Sequence, residues 1–300
     1  MDALADSVKN FLVALFILLS GGLAPSASAE YLKISDTFTI HYEQSGNGDI
    51  PIVFVPGWTM STKVYARQLE HFADSDRFRA ITYDPRGQGL STKTLEGHTY
   101  QQHGRDLKAF MDKLNLSGVV LAGWSWGVLD QFAYINQSGA ENLKAAIIID
   151  GSPKSTGLDN GTDWVWYRKD DADGLRQWFT MGPLEDRAAF NIEFAKWMLE
   201  DQSTENLAWV DEISSQTSST VAALLNETGA YLDYSEDLVG LEGKVPLLYV
   251  VREEWGEVVN KWAKENTPTA EVVPMGKHLM FWERASEFNA VLDKFLERVQ

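Results

Sequence analysis

Gly123-Trp124-Ser125-Trp126-Gly127 joins two segments of different periodicity. Before it, Val119-Val120-Leu121-Ala122 is a short apolar run with β-branched members, the pattern of an interior parallel strand. After it, Val128 to Ile135 places apolar residues at helical spacing. G-x-S-x-G between a strand and a helix makes a turn so sharp that its serine is held in a strained conformation. Side chains two positions to either side would collide with the neighbouring strand and helix, so glycine stands there. The hydroxyl is then presented at the carboxyl end of the sheet, beside the N–H of the next residue. The pattern alone is common; its flanking elements give it meaning.

Working outward, the same alternation of strand and helix recurs. Tyr31–Ile34 and Phe38–Tyr42 read as a hairpin. Ile52–Val55 and Arg79–Tyr83 read as buried strands, with a helix from Thr62 to Phe72 between them. A helix from Tyr100 to Leu114 precedes the central strand, and Ala145–Ile149 is a further strand. Regular alternation then stops until Pro246–Val251. A structureless loop of that length would be abnormal, and the interval carries helix-like aromatic spacing. It is read as a helical lid. A helix (Glu257–Lys264), a strand (Ala270–Val273) and a helix (Arg284–Val299) close the chain. The expected fold class is α/β, with a mostly parallel sheet flanked by helices and the lid inserted before the last two strands. The expected divisions are a leader at 1–29, core at 30–152, lid at 153–243 and core again at 244–300.

Three hundred residues can form one large core with an inserted subdomain. The net charge of −17 argues against a nucleic-acid backbone or an anionic membrane as partner. The chain has no cysteine, which excludes disulfides, thiol chemistry and cysteine-ligated metal. Phe11–Leu19 is a short apolar run, and Ala27-Ser28-Ala29 has the small-x-small form of a cleavage site. Together they predict a secretory signal removed after Ala29, hence export to the periplasm or medium with no stable membrane span afterwards. Asp2 and Asp6 outnumber Lys9 ahead of that run, so an uncleaved amino-terminal anchor is the competing reading.

Ser125 needs a base to become a nucleophile. His278 follows the last strand and precedes the last helix, where a base could reach Ser125. His41, His71, His98 and His103 fall in the early hairpin or in helices and are read as structural or surface residues. The developing oxyanion needs two backbone donors. Trp126, next after the serine, supplies one; Trp58, after Pro56-Gly57 at the end of Ile52–Val55, supplies the other. The acid that orients His278 is expected after Leu247–Val251. Glu254 is the first choice, with Glu253 and Asp150 as alternatives.

At this point the chain resembles the α/β-hydrolase fold superfamily. Val55-Pro56-Gly57-Trp58, Tyr83-Asp84-Pro85-Arg86-Gly87-Gln88-Gly89-Leu90-Ser91, Gly123-Trp124-Ser125-Trp126-Gly127 and His278 lie in that family's order. The most similar subgroup is the cofactor-free haloperoxidase-like esterases, which often carry an aromatic residue after the oxyanion-loop glycine. Two features depart from the family: Pro56 replaces a common histidine, and Arg252-Glu253-Glu254-Trp255 lacks the usual G-x-x-D acid turn. The resemblance implies a serine hydrolase acting on a small carboxylic ester or lactone. It would use a Ser-His-acid triad and an acyl-enzyme, with no metal or organic cofactor. It also implies a structural role for the turn holding Asp84. Perhydrolysis or C–C hydrolysis on the same site, and a non-catalytic binding protein without a competent acid, stay open as alternatives. The lid aromatics Trp164, Trp166, Tyr167, Trp178, Trp197, Trp209, Tyr231 and Tyr234 either wall a pocket for an apolar or aromatic substrate or form the lid's own core.

Overall fold

The computed structural model describes residues 28–157 and 163–299. The expected leader falls on residues outside that range, apart from Ser28 and Ala29, which begin the first strand. β1 (Ser28–Lys33) and β2 (Thr39–Ser45) form the expected hairpin. Six further strands complete one sheet: β3 (Ile50–Val55), β4 (Phe78–Tyr83), β5 (Val119–Trp124), β6 (Leu143–Ile149), and, after the insert, two more at Leu247–Val251 and Glu271–Pro274. Running from β1, the order is β1-β2-β4-β3-β5-β6, then the strand at 247–251 and the strand at 271–274. Only the two pairings made by β2 are antiparallel. The mostly parallel α/β sheet expected from the alternation is therefore present. β5 is buried at every residue, as its unbroken apolar run demands.

The direction of the connections explains where a site can form. From β3 the chain passes through a 3₁₀ turn (Thr62–Tyr65) and helix α1 (Ala66–His71) to β4, moving toward β1. From β4 it passes through α2 (Tyr100–Lys113) back across β3 to β5, and through α3 (Gly127–Ser138) onward to β6. Right-handed crossovers running in opposite directions put α1 and α2 on opposite faces of the sheet. The reversal opens a crevice between the carboxyl ends of β3 and β5, the place where open α/β sheets bind ligands.

The insert begins with a two-stranded parallel ribbon, β7 (Lys154–Thr156) and β8 (Val165–Tyr167), which the sequence pattern did not reveal. Five helices follow: α4 (Ala172–Glu185), α5 (Arg187–Met198), α6 (Thr204–Ser214), α7 (Ser219–Gly229) and α8 (Ser235–Val239). Their starts are legible in the sequence. Asp186, Ser203 and Ser218 each accept a hydrogen bond from a first-turn N–H of α5, α6 and α7, satisfying donors a helix start leaves bare. α4 packs on α7, and α5 on α6. The chain then returns through β9 (Leu247–Val251), α9 (Gly256–Asn266), β10 (Glu271–Pro274), α10 (Met280–Glu283) and α11 (Ala285–Leu296). α11 packs on α1. Among the described residues no helix is long and apolar enough to cross a membrane.

Candidate active site

Ser125 sits at the β5–α3 turn with φ of +55°. A non-glycine residue there costs about 1–3 kcal/mol, and the surroundings enforce it. Its N–H donates to the Ile149 carbonyl of β6 at 2.9 Å. A Cβ at Gly127 would lie 2.6 Å from the carbonyl oxygens of Val55 and Pro56, and one at Gly123 2.5 Å from Oε1 of Gln131. The glycines therefore let α3 begin directly against the end of β3, which is the close approach the motif requires.

His278 lies on the loop between β10 and α10, buried to 2% exposure. Its backbone carbonyl accepts a 2.9 Å hydrogen bond from Nε1 of the fully buried Trp124, so the first tryptophan of the motif fixes the histidine loop. Nε2 of His278 is 3.0 Å from Oγ of Ser125. Nδ1 is 2.5 Å from Oδ2 of Asp150. An ionised carboxylate only accepts, so Nδ1 carries the hydrogen and Nε2 is left to accept from the serine hydroxyl.

The acid beside His278 is therefore Asp150, and the expectation of Glu254 is corrected. Glu253 and Glu254 lie in a short 3₁₀ turn (Glu253–Trp255) and are exposed. Asp150 follows β6 directly, with φ of +37° and its N–H donating to the Val250 carbonyl at 2.7 Å. That conformation turns its carboxylate beneath the imidazole. Arg252 stands where the acid was expected, at the end of β9. Its backbone N–H donates to Oδ1 of Asp150 at 2.8 Å, and its Nε lies 3.1 Å from Oδ2.

Burial, the largest influence, would raise the Asp150 pKa. The Arg252 guanidinium and the His278 hydrogen bond outweigh it, and the carboxyl stays below its ordinary value. Burial likewise dominates at His278 and lowers its pKa; Asp150 opposes and Arg252 assists. Both directions describe a neutral imidazole beside an ionised carboxylate.

Gly57 is packed hard on the serine: a Cβ there would lie 2.8 Å from Cβ of Ser125 and 3.3 Å from its Oγ. Trp58 is the next residue along the chain. Among the described residues, neither the Trp58 nor the Trp126 backbone N–H donates to a protein acceptor. The Trp58 ring is anchored against the insert. Its Nε1 donates to the Ala222 carbonyl of α7 at 2.8 Å, and its faces meet Phe179, Phe190 and Phe194 edge-on.

A cavity of about 230 Å³ opens over Ser125. Its walls are mostly aromatic and include Trp58, Trp126, Trp166, Trp178, Trp197 and Trp255. The insert's aromatics thus divide. Trp166, Tyr167, Trp178 and Trp197 line the cavity. Trp164 packs on Tyr249 and Trp262, Trp209 stacks on Trp282, and Tyr234 stacks on Phe132. Tyr231 is exposed.

The remaining histidines keep to structural surroundings. His41 pairs with Asp84 and His103 with Asp130, both buried; His98 is bound to the Thr94 carbonyl, and His71 meets Asp293 near the surface. Asp84 also accepts from the Thr62 and Leu90 N–H groups, so it ties the turn after β4 together. Among the described residues no group of three or more His, Asp or Glu is arranged to hold a metal ion.

The family model for the alpha/beta hydrolase fold matches residues 50–285, and the chain belongs to that family. The AB hydrolase superfamily protein YisY of Bacillus subtilis (strain 168) is 27% identical over 280 residues, spanning 88% of this chain and 98% of its own. The bifunctional esterase/perhydrolase DCH of Acinetobacter calcoaceticus is 28% identical over 124 residues, or 41% of this chain and 45% of its own. A crystal structure of bromoperoxidase from Bacillus anthracis superposes with a TM-score of 0.79 at 24% identity, covering 90% of this chain and 100% of that one. The resemblance to the α/β-hydrolase fold superfamily is thereby borne out, and the chain is an enzyme of the hydrolase class.

Proposed function

We propose that the protein is a serine hydrolase of small carboxylic esters or lactones, working through an acyl-enzyme on Ser125. The observation that carries this reading is the unbroken contact from Ser125 Oγ through His278 to the buried Asp150 carboxylate. Neutral His278 takes the serine proton as Oγ attacks the carbonyl carbon. Asp150 stabilises the imidazolium that forms. The N–H groups of Trp58 and Trp126 receive the developing oxyanion, each such donor being worth ~3 kcal/mol of barrier. Imidazolium then protonates the leaving alcohol, and neutral His278 activates the water that releases the acid. The aromatic walls favour substrates with an apolar or aromatic portion.

The test is covalent labelling with a fluorophosphonate. A stoichiometric adduct located on Ser125 by peptide mass is expected. Folded protein that stays unlabelled would remove the proposal.

The pH dependence has a defined sign. The competent histidine is neutral, so kcat/KM falls as pH drops through its pKa. Burial holds that pKa below its ordinary 6.5. The acid limb of the kcat/KM profile for a 4-nitrophenyl ester is therefore expected below pH 6.5, and a limb above that value would contradict the assignment.

Perhydrolysis is a second reading, supported by the relative named as a bifunctional esterase/perhydrolase. It uses the same acyl-enzyme with hydrogen peroxide in place of water as acceptor. Adding peroxide to an ester assay and measuring peracid separates the two.

A further inference from the structure

Arg252 is the one charged side chain among the described residues lining the cavity over Ser125. Its side chain is 10% exposed, and its donors are unevenly used. Nε and the backbone N–H serve Asp150, whereas Nη2 is buried with no protein acceptor among the described residues. The guanidinium carbon lies 4.0, 5.1 and 5.3 Å from the ring centres of Trp255, Trp197 and Trp166. Three indole faces thus hold the planar group by cation–π contact and restrict its motion.

A second donor stands unfilled beside it: Nε1 of Trp166, also buried without a protein acceptor. Two other polar side chains of the cavity wall, Asn226 and Trp58, are committed. Asn226 gives its amide hydrogens to the Arg176 carbonyl and Thr180 Oγ1, and accepts from the Tyr167 hydroxyl. Trp58 Nε1 is bound to Ala222. Trp197, which faces Arg252, also packs 4.5 Å from the His278 ring, so this end of the cavity adjoins the reacting groups.

Buried donors are normally satisfied, and the guanidinium fork matches a carboxylate geometrically. We propose that Arg252, with Trp166 Nε1, recognises a carboxylate on the substrate, so that the ester or lactone hydrolysed is an acid as well as an ester. This rests on the hydrolase reading and narrows it to a substrate class. The acidic surface disfavours anions at long range; inside the cavity this local, water-excluded cation reverses the preference. Glu254, exposed beside Arg252 on a second cavity of about 170 Å³, makes no ion pair with it among the described residues.

The test compares matched ester pairs that differ only in charge. For a carboxylate on the acyl side, 4-nitrophenyl hydrogen glutarate is set against methyl 4-nitrophenyl glutarate. For one on the leaving group, 4-acetoxybenzoate is set against its methyl ester. In at least one pair, wild type is expected to favour the carboxylate in kcat/KM by roughly 10- to 100-fold, and the favoured pair identifies the side. That ratio is expected to collapse toward one in Arg252→Met and to recover partly in Arg252→Lys. Equal turnover within both pairs by wild type, or a ratio that persists in Arg252→Met, would overturn the proposal while leaving the hydrolase reading intact. Should Arg252→Met not fold, the wild-type ratios and Arg252→Lys decide alone. Binding separates the two readings further. Ser125→Ala protein is expected to bind monoethyl glutarate more tightly than diethyl glutarate, or 4-acetoxybenzoate more tightly than its methyl ester, by calorimetry, whether or not Ser125 is a nucleophile. Equal or absent binding of both monoethyl glutarate and 4-acetoxybenzoate, each against its neutral ester, would count against Arg252 as the anion site.

Discussion

Ser125→Ala is expected to lower kcat/KM for 4-nitrophenyl esters by on the order of 10⁵- to 10⁶-fold. The loss is larger than one missing hydrogen bond would give, because without Oγ no acyl-enzyme can form. On the proposed mechanism, what remains is the carbonyl polarised by the Trp58 and Trp126 amides, with His278 acting on water in the serine's place. The substitution leaves the fold alone. Alanine carries the same strain at a φ of +55° as serine does, and the close contacts of Gly123 and Gly127 that enforce the turn do not involve the Ser125 hydroxyl. An unchanged melting temperature together with lost turnover and lost fluorophosphonate labelling is the expected set of results. Turnover retained at even a tenth of wild type would mean that the measured esterase activity belongs to another group.

The parts of the site built by local sequence were legible, and those built by convergence of distant strand ends were not. β3, β5 and β6 announce themselves because interior parallel strands are apolar on both faces. Ser125 follows from G-x-S-x-G placed between such a strand and a helix, and His278 from its place between the last strand and the last helix. The acid is different. Asp150, Glu253 and Glu254 all follow buried strands, and a carboxylate's position along the chain says nothing of which way it points. One usable signal was present. Asp150 directly abuts an apolar interior strand and is followed by Gly151-Ser152-Pro153, so its carboxylate has little route to water. Glu253 and Glu254 come after Arg252, at the start of a turn open to solvent. The insert's aromatics were ambiguous for a related reason. Helical spacing shows that Phe190, Phe194 and Trp197 share one face of a helix, but not whether that face meets the insert's own core or the serine.

Asp150→Asn is expected to lower kcat by ~10⁴-fold, and Glu254→Gln to leave it within about twofold of wild type. The asparagine has nearly the shape of the aspartate, so the Arg252 backbone N–H and the His278 ring can both keep their places. What changes is the proton inventory. An amide can offer N–H to Nδ1, which favours the tautomer with hydrogen on Nε2, and that nitrogen then cannot accept the serine proton. The negative charge that balances the imidazolium is lost as well. Arg252 makes the substitution more severe than in a site with a lone aspartate: its guanidinium, 3.1 Å from Oδ2, would face the imidazolium with no carboxylate between them. Lowering the pH cannot restore a missing base, so the asparagine enzyme is expected to gain activity only at high pH, where hydroxide replaces the histidine's task. Glu254, exposed and without a contact to His278, has no comparable path to the chemistry. A Glu254→Gln enzyme as impaired as Asp150→Asn would require that the loop after β9 move its carboxylate under the imidazole during turnover, displacing Arg252 from Asp150.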